Sequence, residues 1–340
     1  MKPLLKPAAL QTGDTVGIIS PSWGAAGLFP HRLERGVAKL EQMGFRTKIG
    51  AHARGVAGHV SASAAERVAD LHAMFVNPEV KAIIAAIGGD HSNQMLPLID
   101  FDLIRDNPTI FMGYSDVTVL NVALHAGAGL VTFNGPALIT DFAEFPEMFA
   151  FTENAFRRTV MVAEPAGPLP AAPWWSDEQL DWGQKLDLTR PRQQQPSPGW
   201  HWLKPGQAEG ALVGGCFGSM EHLRGTRWWP DFDGALLFLE SSEDCSGPAE
   251  LDARLMDYEN MGVLDQINGL LIGRPYHFDD AAKALLRQII LERTAAYTFP
   301  IISDMDFGHT APQFLLPLGV RGRIDSEAQT FSLLEAAVAG

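Results

Sequence analysis

Apolar positions follow two different periods along the first half of the chain. Val16-Gly17-Ile18-Ile19-Ser20 is a short apolar run that ends in Pro21. From His31 to Met43, Leu33, Val37 and Leu40 recur at helical spacing, and Gly44 stands where a C′ glycine would end the helix. Ser61 to Phe75 is a second helical stretch with Val68, Leu71 and Phe75 on one face; Ser63 and Glu66 fit a capping box at its start. Val80 to Ile87 and Thr109 to Tyr114 are nearly continuous apolar runs. Apolar strands separated by amphipathic helices point to a parallel sheet covered on both faces. Ligands of such sheets sit beyond the carboxyl ends of the strands, which directs attention to the loops at Ser20, Gly88 and Ser115.

The pattern breaks from about Glu164 to Gln207. Eight prolines in that stretch prevent long regular structure, and it holds Trp174, Trp175, Trp182, Trp200 and Trp202. A mere linker would be polar and flexible. These tryptophans either anchor the segment or contact a ligand. Strand signals resume at Ala211 to Gly215, Gly234 to Leu239 and Ile267 to Ile272. Ala249 to Met261 reads as a helix, as does Ala281 to Ala296, with Leu285, Leu286, Ile289 and Ile290 forming its apolar face. Leu318 to Leu334 reads as two short strands around a turn at Asp325-Ser326. The expected division is an N-terminal α/β domain at 1–163, a Pro/Trp-rich connecting and substrate loop at 164–208, and a C-terminal domain at 209–340.

Composition narrows the function classes. Of 340 residues, 26 are Lys or Arg and 40 are Asp or Glu, a net charge of −14. That balance argues against nucleic acid and against anionic membrane surfaces as partners. Two cysteines, Cys216 and Cys245, exclude a disulfide scaffold and a C-x-x-C metal site. The N-terminal run is interrupted by Lys6 and Pro7 before it reaches signal-peptide length, and no apolar stretch reaches the roughly 18 residues of a membrane span. A cytoplasmic protein with a small-molecule or peptide ligand is expected. A phosphate-cradling P-loop and paired helical His ligands are both lacking, so neither a cofactor nor a catalytic metal is expected. Val213 to Ser219 is glycine-rich, which fits tight packing better than a ligand loop.

The most informative segment is Phe111-Met112-Gly113-Tyr114-Ser115-Asp116-Val117-Thr118. An apolar strand runs into Ser115 and a helical stretch runs out, the context of a nucleophile elbow. Val117 stands where the hydrolase form G-x-S-x-G has its last glycine. Ser115 is either a nucleophile or, with Asp116, a simple helix N-cap. A serine needs a general base. His91 and His309 both follow strand-like runs. A histidine base needs a carboxylate to orient it, and Glu240, which ends the run Ala235 to Leu239, is the best placed. Glu243 and Asp244 lie close by, and all three acids could instead form a solvated loop. Cys216 has no elbow around it, which weakens an amidotransferase-like thiol reading.

With these segments in order, the sequence resembles the serine peptidase family of LD-carboxypeptidases. The resemblance rests on Gly13 to Ser22, Ile87-Gly88-Gly89-Asp90, Gly113 to Thr118, Leu239 to Glu243, Gly269 to Arg274 and Phe307-Gly308-His309-Thr310, which span nearly the whole chain. It implies an α/β protein: an N-terminal parallel-sheet domain of flavodoxin or amidotransferase type and a smaller strand-rich C-terminal α/β domain. It implies Ser115 as nucleophile, His309 as base and Glu240 as its partner. The oxyanion hole would use backbone N–H groups of Gly88, Gly89 and Asp116, and the protein would be a homodimer. Two features resemble the microcin C immunity branch: the loop Ile87 to Gln94 and the Trp-rich segment. In that branch an aromatic stacks on a nucleobase, a role that would fall to Trp182; Glu243 and Arg274 complete the expected substrate contacts. The substrate would be an aminoacyl-nucleotide or modified peptide. The alternatives are a murein tetrapeptide losing its D-alanine, or a toxin bound without turnover.

Overall fold

The computed structural model describes residues 4–245 and 247–340. Met1 to Pro3, on which part of the N-terminal reading rests, lie outside the described residues, as does Ser246. Six strands form one sheet in the order Leu316–Pro317, Phe133–Asn134, Ile110–Gly113, Val80–Ala85, Thr15–Ile19 and Arg46–Ile49. All neighbours are parallel except Leu316–Pro317, which runs antiparallel along Phe133–Asn134. Successive residues of a strand face opposite ways. Accordingly Ile19, Ile83 and Phe111 enter one apolar core while Ile18, Ile84 and Met112 enter another. The continuous apolar runs in the sequence are therefore strands buried on both faces.

The covering helices start and stop where local chemistry directs. Pro30 occupies the first turn of Pro30–Gln42, and Gly44 follows its end at φ 93°. Ala64–Phe75 carries the capping box: the Ser63 side chain accepts from the Glu66 N–H at 3.3 Å, and the Glu66 carboxylate accepts from the Ser63 N–H at 3.0 Å.

The second sheet has eight strands, two more than the first. Its centre is parallel: Gln207–Cys216, Leu236–Glu240, Gly269–Gly273 and Ile301–Met305. Antiparallel strands flank it, with Arg321–Asp325 and Thr330–Leu333 on one side and His201–Lys204 on the other. The connecting segment thus supplies edge strands at both ends, since Gly167–Pro168 pairs with Thr330–Leu333. The helix Asp280–Arg293 covers this sheet through Leu286, Ile289 and Ile290. Leu285 departs from expectation and is 48% exposed, because it lies just outside the arc of the helix that Ile289, Leu286 and Ile290 bury. Among the described residues, no helix is long and apolar enough to cross a membrane.

The halves meet where the helix Val117–Ala128 packs on Gln207–Cys216. Thr118 Oγ1 accepts from the Cys216 N–H at 3.1 Å. Gly215 has φ 152°, and a side chain there would collide with Thr118. Gly214 is likewise pressed against the Phe238 backbone, so this glycine run serves packing. With the halves joined this way, the carboxyl ends of both sets of parallel strands open onto one cavity of about 1000 Å³.

Candidate active site

Ser115 stands where Ile110–Gly113 turns into Val117–Ala128. Its φ of 62° lies in the left-handed region that side chains other than Asn and Asp seldom occupy. The surrounding structure over-determines that strain. Asn121 Nδ2 donates to the Gly113 carbonyl at 2.9 Å, and Thr118 N–H to the Ser115 carbonyl at 2.9 Å. A Cβ on Gly113 would lie 2.8 Å from Val117 Cγ1, so the turn closes only over glycine.

The Asp116 side chain caps no helix N–H. Instead its Oδ2 accepts from the backbone N–H of His91 at 3.0 Å and of Ser92 at 2.9 Å, while Ser92 Oγ donates to its carbonyl at 2.8 Å. Asp116 therefore ties the Gly88-Gly89 loop to the serine turn. The loop comes very close: a Cβ on Gly88 would lie 3.0 Å from the Asp116 nitrogen, and one on Gly89, at φ 141°, would lie 2.5 Å from Ser22 Oγ. The Val117 and Thr118 N–H groups donate to the Tyr114 and Ser115 carbonyls at 3.2 and 2.9 Å, so the turn's candidate donor to an oxyanion is the Asp116 N–H. His91 belongs elsewhere. Its ring packs on His59 at 4.4 Å and lines a separate cavity of about 330 Å³.

The other half of the site comes from the second sheet. Glu240 ends its strand fully buried, and its Oε2 accepts from His309 Nδ1 at 2.7 Å. Two glycines make room for that carboxylate. A Cβ on Gly308, at φ 98°, would lie 2.6 Å from Glu240 Oε2, and one on Gly273 2.9 Å from Glu240 Cβ. With Nδ1 donating to Glu240, Nε2 is the nitrogen left to exchange a proton. Burial disfavours the imidazolium, but Glu240, Glu243 and Asp244 outweigh it and push the His309 pKa up to about 9.

Ser115, Gly88, Gly89, Trp182, Glu243 and His309 all line the 1000 Å³ cavity. Glu243 Oε2 stands 3.4 Å from His309 Nε2, and Gln179 Nε2 donates to Glu243 Oε1 at 3.1 Å. Trp182 packs edge-on against Phe29 at 5.5 Å, with the Arg32 guanidinium 4.6 Å above its ring. Of the five tryptophans in the connecting segment, Trp182 lines the cavity and the others anchor. Trp175 lies beneath Lys283 at 4.0 Å, Trp174 packs on Phe149, Trp200 Nε1 donates to Asp306 at 2.8 Å, and Trp202 sits in an edge strand.

Arg274, expected at the substrate, does not line the cavity. It is buried away from the cavity, where it pairs with Asp306 at 2.9 Å, donates to Ser197 Oγ at 3.2 Å and lies over Trp175 at 5.2 Å. Its charge is spent holding the connecting segment to the second sheet. Three other residues enter the site unannounced. Tyr276 and Thr310 line the cavity with hydroxyls that have no partner among the described residues, and Arg192 reaches in and pairs with Glu144. Tyr276 was within reach of sequence reasoning, since it follows the carboxyl end of the parallel strand Gly269–Gly273.

Cys216 is buried opposite Glu240 in the strand register. Burial, reinforced by Glu240, raises its thiol pKa well above the ordinary range, which keeps it protonated and unsuited to attack. Among the described residues, Cys216, Glu240 and His309 form the one group whose metal-ligand atoms all lie within 4.8 Å of one another. Two of those atoms already share the Glu240–His309 hydrogen bond.

Comparison with known proteins gives the family. Residues 16–135 match the model of the LD-carboxypeptidase N-terminal domain, and residues 209–324 that of the LD-carboxypeptidase C-terminal domain. The chain is 32% identical over 340 residues to the microcin C7 self-immunity protein MccF of Escherichia coli, covering 98% of this chain and 96% of that one. It is also 32% identical over 336 residues to a probable murein peptide carboxypeptidase of Bacillus subtilis (strain 168), covering 98% and 95%. Among solved structures, MccF in complex with aspartyl sulfamoyl adenosine superposes with a TM-score of 0.92 at 30% identity, covering 98% of this chain and all of that one. An MccF-like protein from Streptococcus pneumoniae in complex with AMP gives 0.83 at 26% identity, covering 94% and 98%.

Proposed function

Because the chain belongs to the LD-carboxypeptidase family of serine peptidases, we propose that it hydrolyses the amide bond of an aminoacyl-nucleotide or similarly modified peptide, in the manner of a toxin-detoxifying enzyme. One observation carries the reading: a strained serine opens onto the same cavity as a histidine hydrogen-bonded to a buried glutamate. In this reading Ser115 Oγ attacks the carbonyl carbon while His309 Nε2 takes its proton. The oxyanion is held by backbone N–H groups of Asp116 and the Gly88-Gly89 loop. His309 then returns the proton to the departing nitrogen as the C–N bond breaks. Water, deprotonated by the same imidazole, releases the acyl group from Ser115. Glu240 fixes the ring and balances the imidazolium.

Trp182 favours a nucleoside-bearing substrate. Arg32 and Phe29 support its indole, and the ring borders the cavity, where a flat base could stack. The related proteins have been solved in complex with aminoacyl sulfamoyl nucleosides and AMP, which fits the same substrate class. The likeness to a murein peptide carboxypeptidase supports the second reading, release of D-alanine from a tetrapeptide. We further place the protein in the cytoplasm, in keeping with its two free buried cysteines, and take it to act as a homodimer, as the family resemblance implies; light scattering after gel filtration tests the latter. The division at 163/164 and 208/209 belongs to the same proposal, with the middle segment serving as the substrate loop.

The deciding experiment incubates the protein and its Ser115→Ala variant with aspartyl sulfamoyl adenosine and with a murein tetrapeptide, and reads the products by mass spectrometry. The reading expects cleavage of the nucleoside compound by the unaltered protein and none by the variant. Cleavage of the tetrapeptide alone would assign the cell-wall reaction. Tight binding of an unchanged nucleoside compound would mean sequestration.

A further inference from the structure

The cavity has more carboxylates than cations. Asp187 is matched by Arg32 and Arg35, Glu144 by Arg192, Glu178 by Arg190, and Asp244 and Glu221 by Arg254. Asp90, Asp141, Asp177, Asp181 and Glu243 also line it, and none of them has a Lys or Arg within ion-pair distance among the described residues. The two arginines that line the cavity, Arg32 and Arg192, are both already committed.

Glu243 is the acid nearest the chemistry. Its side chain is 55% exposed, and its carboxylate stands 3.4 Å from the Nε2 of His309. A substrate carbonyl attacked by Ser115 must sit beside that nitrogen, so Glu243 stands within reach of a charged group on the acyl residue. Buried hydroxyls line the same cavity without partners. Tyr276 is 3% and Thr310 2% exposed, and neither its phenol oxygen nor its Oγ1 has a hydrogen bond among the described residues. Glu243 is close enough to Tyr276 to help raise its phenol pKa, an effect led by burial. An ammonium brings three N–H donors and no acceptor. A carboxylate with uncommitted hydroxyl oxygens near it suits that donor set, whereas an anionic group would meet like charge.

We propose that Glu243 selects substrates whose acyl residue carries a positive charge, an ammonium supplied by a free α-amino group or by a basic side chain. This rests on the hydrolase reading for its chemistry and adds the charge of the substrate. It also separates this chain from MccF as seen with aspartyl and glutamyl compounds, for a basic side chain would be preferred here to an acidic one.

The test uses lysyl, norleucyl and glutamyl sulfamoyl adenosine, and Nα-acetyl-lysyl and Nα-acetyl-norleucyl forms. Turnover is measured with the unaltered protein and affinity by calorimetry with Ser115→Ala. At least about tenfold preference for lysyl over norleucyl assigns the side-chain ammonium; the same loss on acetylating the norleucyl compound assigns the α-amino group. Glu243→Gln should reduce either preference to less than about threefold, and Glu243→Lys should favour the glutamyl compound. Turnover with no charge preference, or a preference that survives Glu243→Gln, overturns the inference. Charge-selective binding with no turnover by the unaltered protein upholds it and overturns the hydrolase reading instead. Absence of both binding and turnover across the series overturns both.

Discussion

Gly88 and Ser115 approach so closely that a Cβ on Gly88 would lie 2.7 Å from Ser115 Cβ and 2.8 Å from its Oγ. The loop and the nucleophile turn therefore occupy one space that only glycine leaves open. Gly88→Ala must push the serine, the loop or both. The expected result is a fall in kcat of about 10²- to 10³-fold, the scale of a lost oxyanion donor. Thermal unfolding should shift by only a few degrees, because the strands beneath are untouched. A variant with unchanged kcat would show that the loop plays no part in catalysis.

His309 sets the pH dependence. Burial works against its charge, but Glu240, Glu243 and Asp244 prevail and its pKa rises to about 9. A general base must be neutral, so kcat/KM should climb as pH rises toward about 9 and not level off near the ordinary histidine value of about 6.5. Glu243→Gln removes one of the raising charges and should move that limb to lower pH. Folding stability carries the opposite sign. A raised folded pKa contributes stability that is fully present below about 6.5 and is lost as pH rises through about 9. An activity limb near 6.5 in both proteins would contradict this electrostatic picture.

Trp182 separates the two substrate readings. Base stacking on an aromatic is worth about 1–3 kcal/mol, so Trp182→Ala should raise KM for an aminoacyl sulfamoyl nucleoside by about tenfold or more. Hydrolysis of a tetrapeptide should change by less than about threefold. Equal losses on both would mean that Trp182 only holds the loop against Phe29 and Arg32.

Arg274 should affect stability and leave catalysis alone. Its removal leaves Asp306, which is 1% exposed and already has its pKa raised, by burial above all, without its cationic partner. Breaking one side of such a pair costs about 3–5 kcal/mol. Arg274→Met should lower Tm markedly while kcat/KM, measured well below Tm, stays within about twofold. A selective loss of substrate affinity would restore it to the binding site.

The parts of the site that sequence reasoning found are those whose signal is local. The turn at Ser115 announces itself because strand, serine and helix are consecutive. The Glu240–His309 pair spans 69 positions. Pattern placed each after a strand-like run and picked out Glu240 as the acid, and the family resemblance then chose His309 over His91. Arg274 was misread because a cation just after a buried strand looks the same whether it meets substrate or a carboxylate. Its partner Asp306 follows a neighbouring parallel strand, which periodicity cannot show. Leu285 differs for a geometric reason, since it lies just beyond the arc of the helix that Ile289, Leu286 and Ile290 bury. The loop carrying Trp182 was legible as aromatic, but which of its tryptophans returns to the cavity depends on how the segment folds back across both halves.

The strand Leu316–Pro317 seals the edge of the first sheet beside Phe133–Asn134, although nearly two hundred residues separate them. During synthesis, the half that carries Ser115 therefore waits with an unpaired sheet edge until that late strand emerges. His309 emerges only shortly before it. Until His309 follows, the proposed triad is incomplete, and the exposed edge is a point where nascent chains could associate. A chain ending at residue 310 would retain every proposed catalytic side chain yet lose this strand together with Arg321–Asp325 and Thr330–Leu333 of the second sheet; it should be recovered largely as aggregate, and a soluble, active product would refute that account.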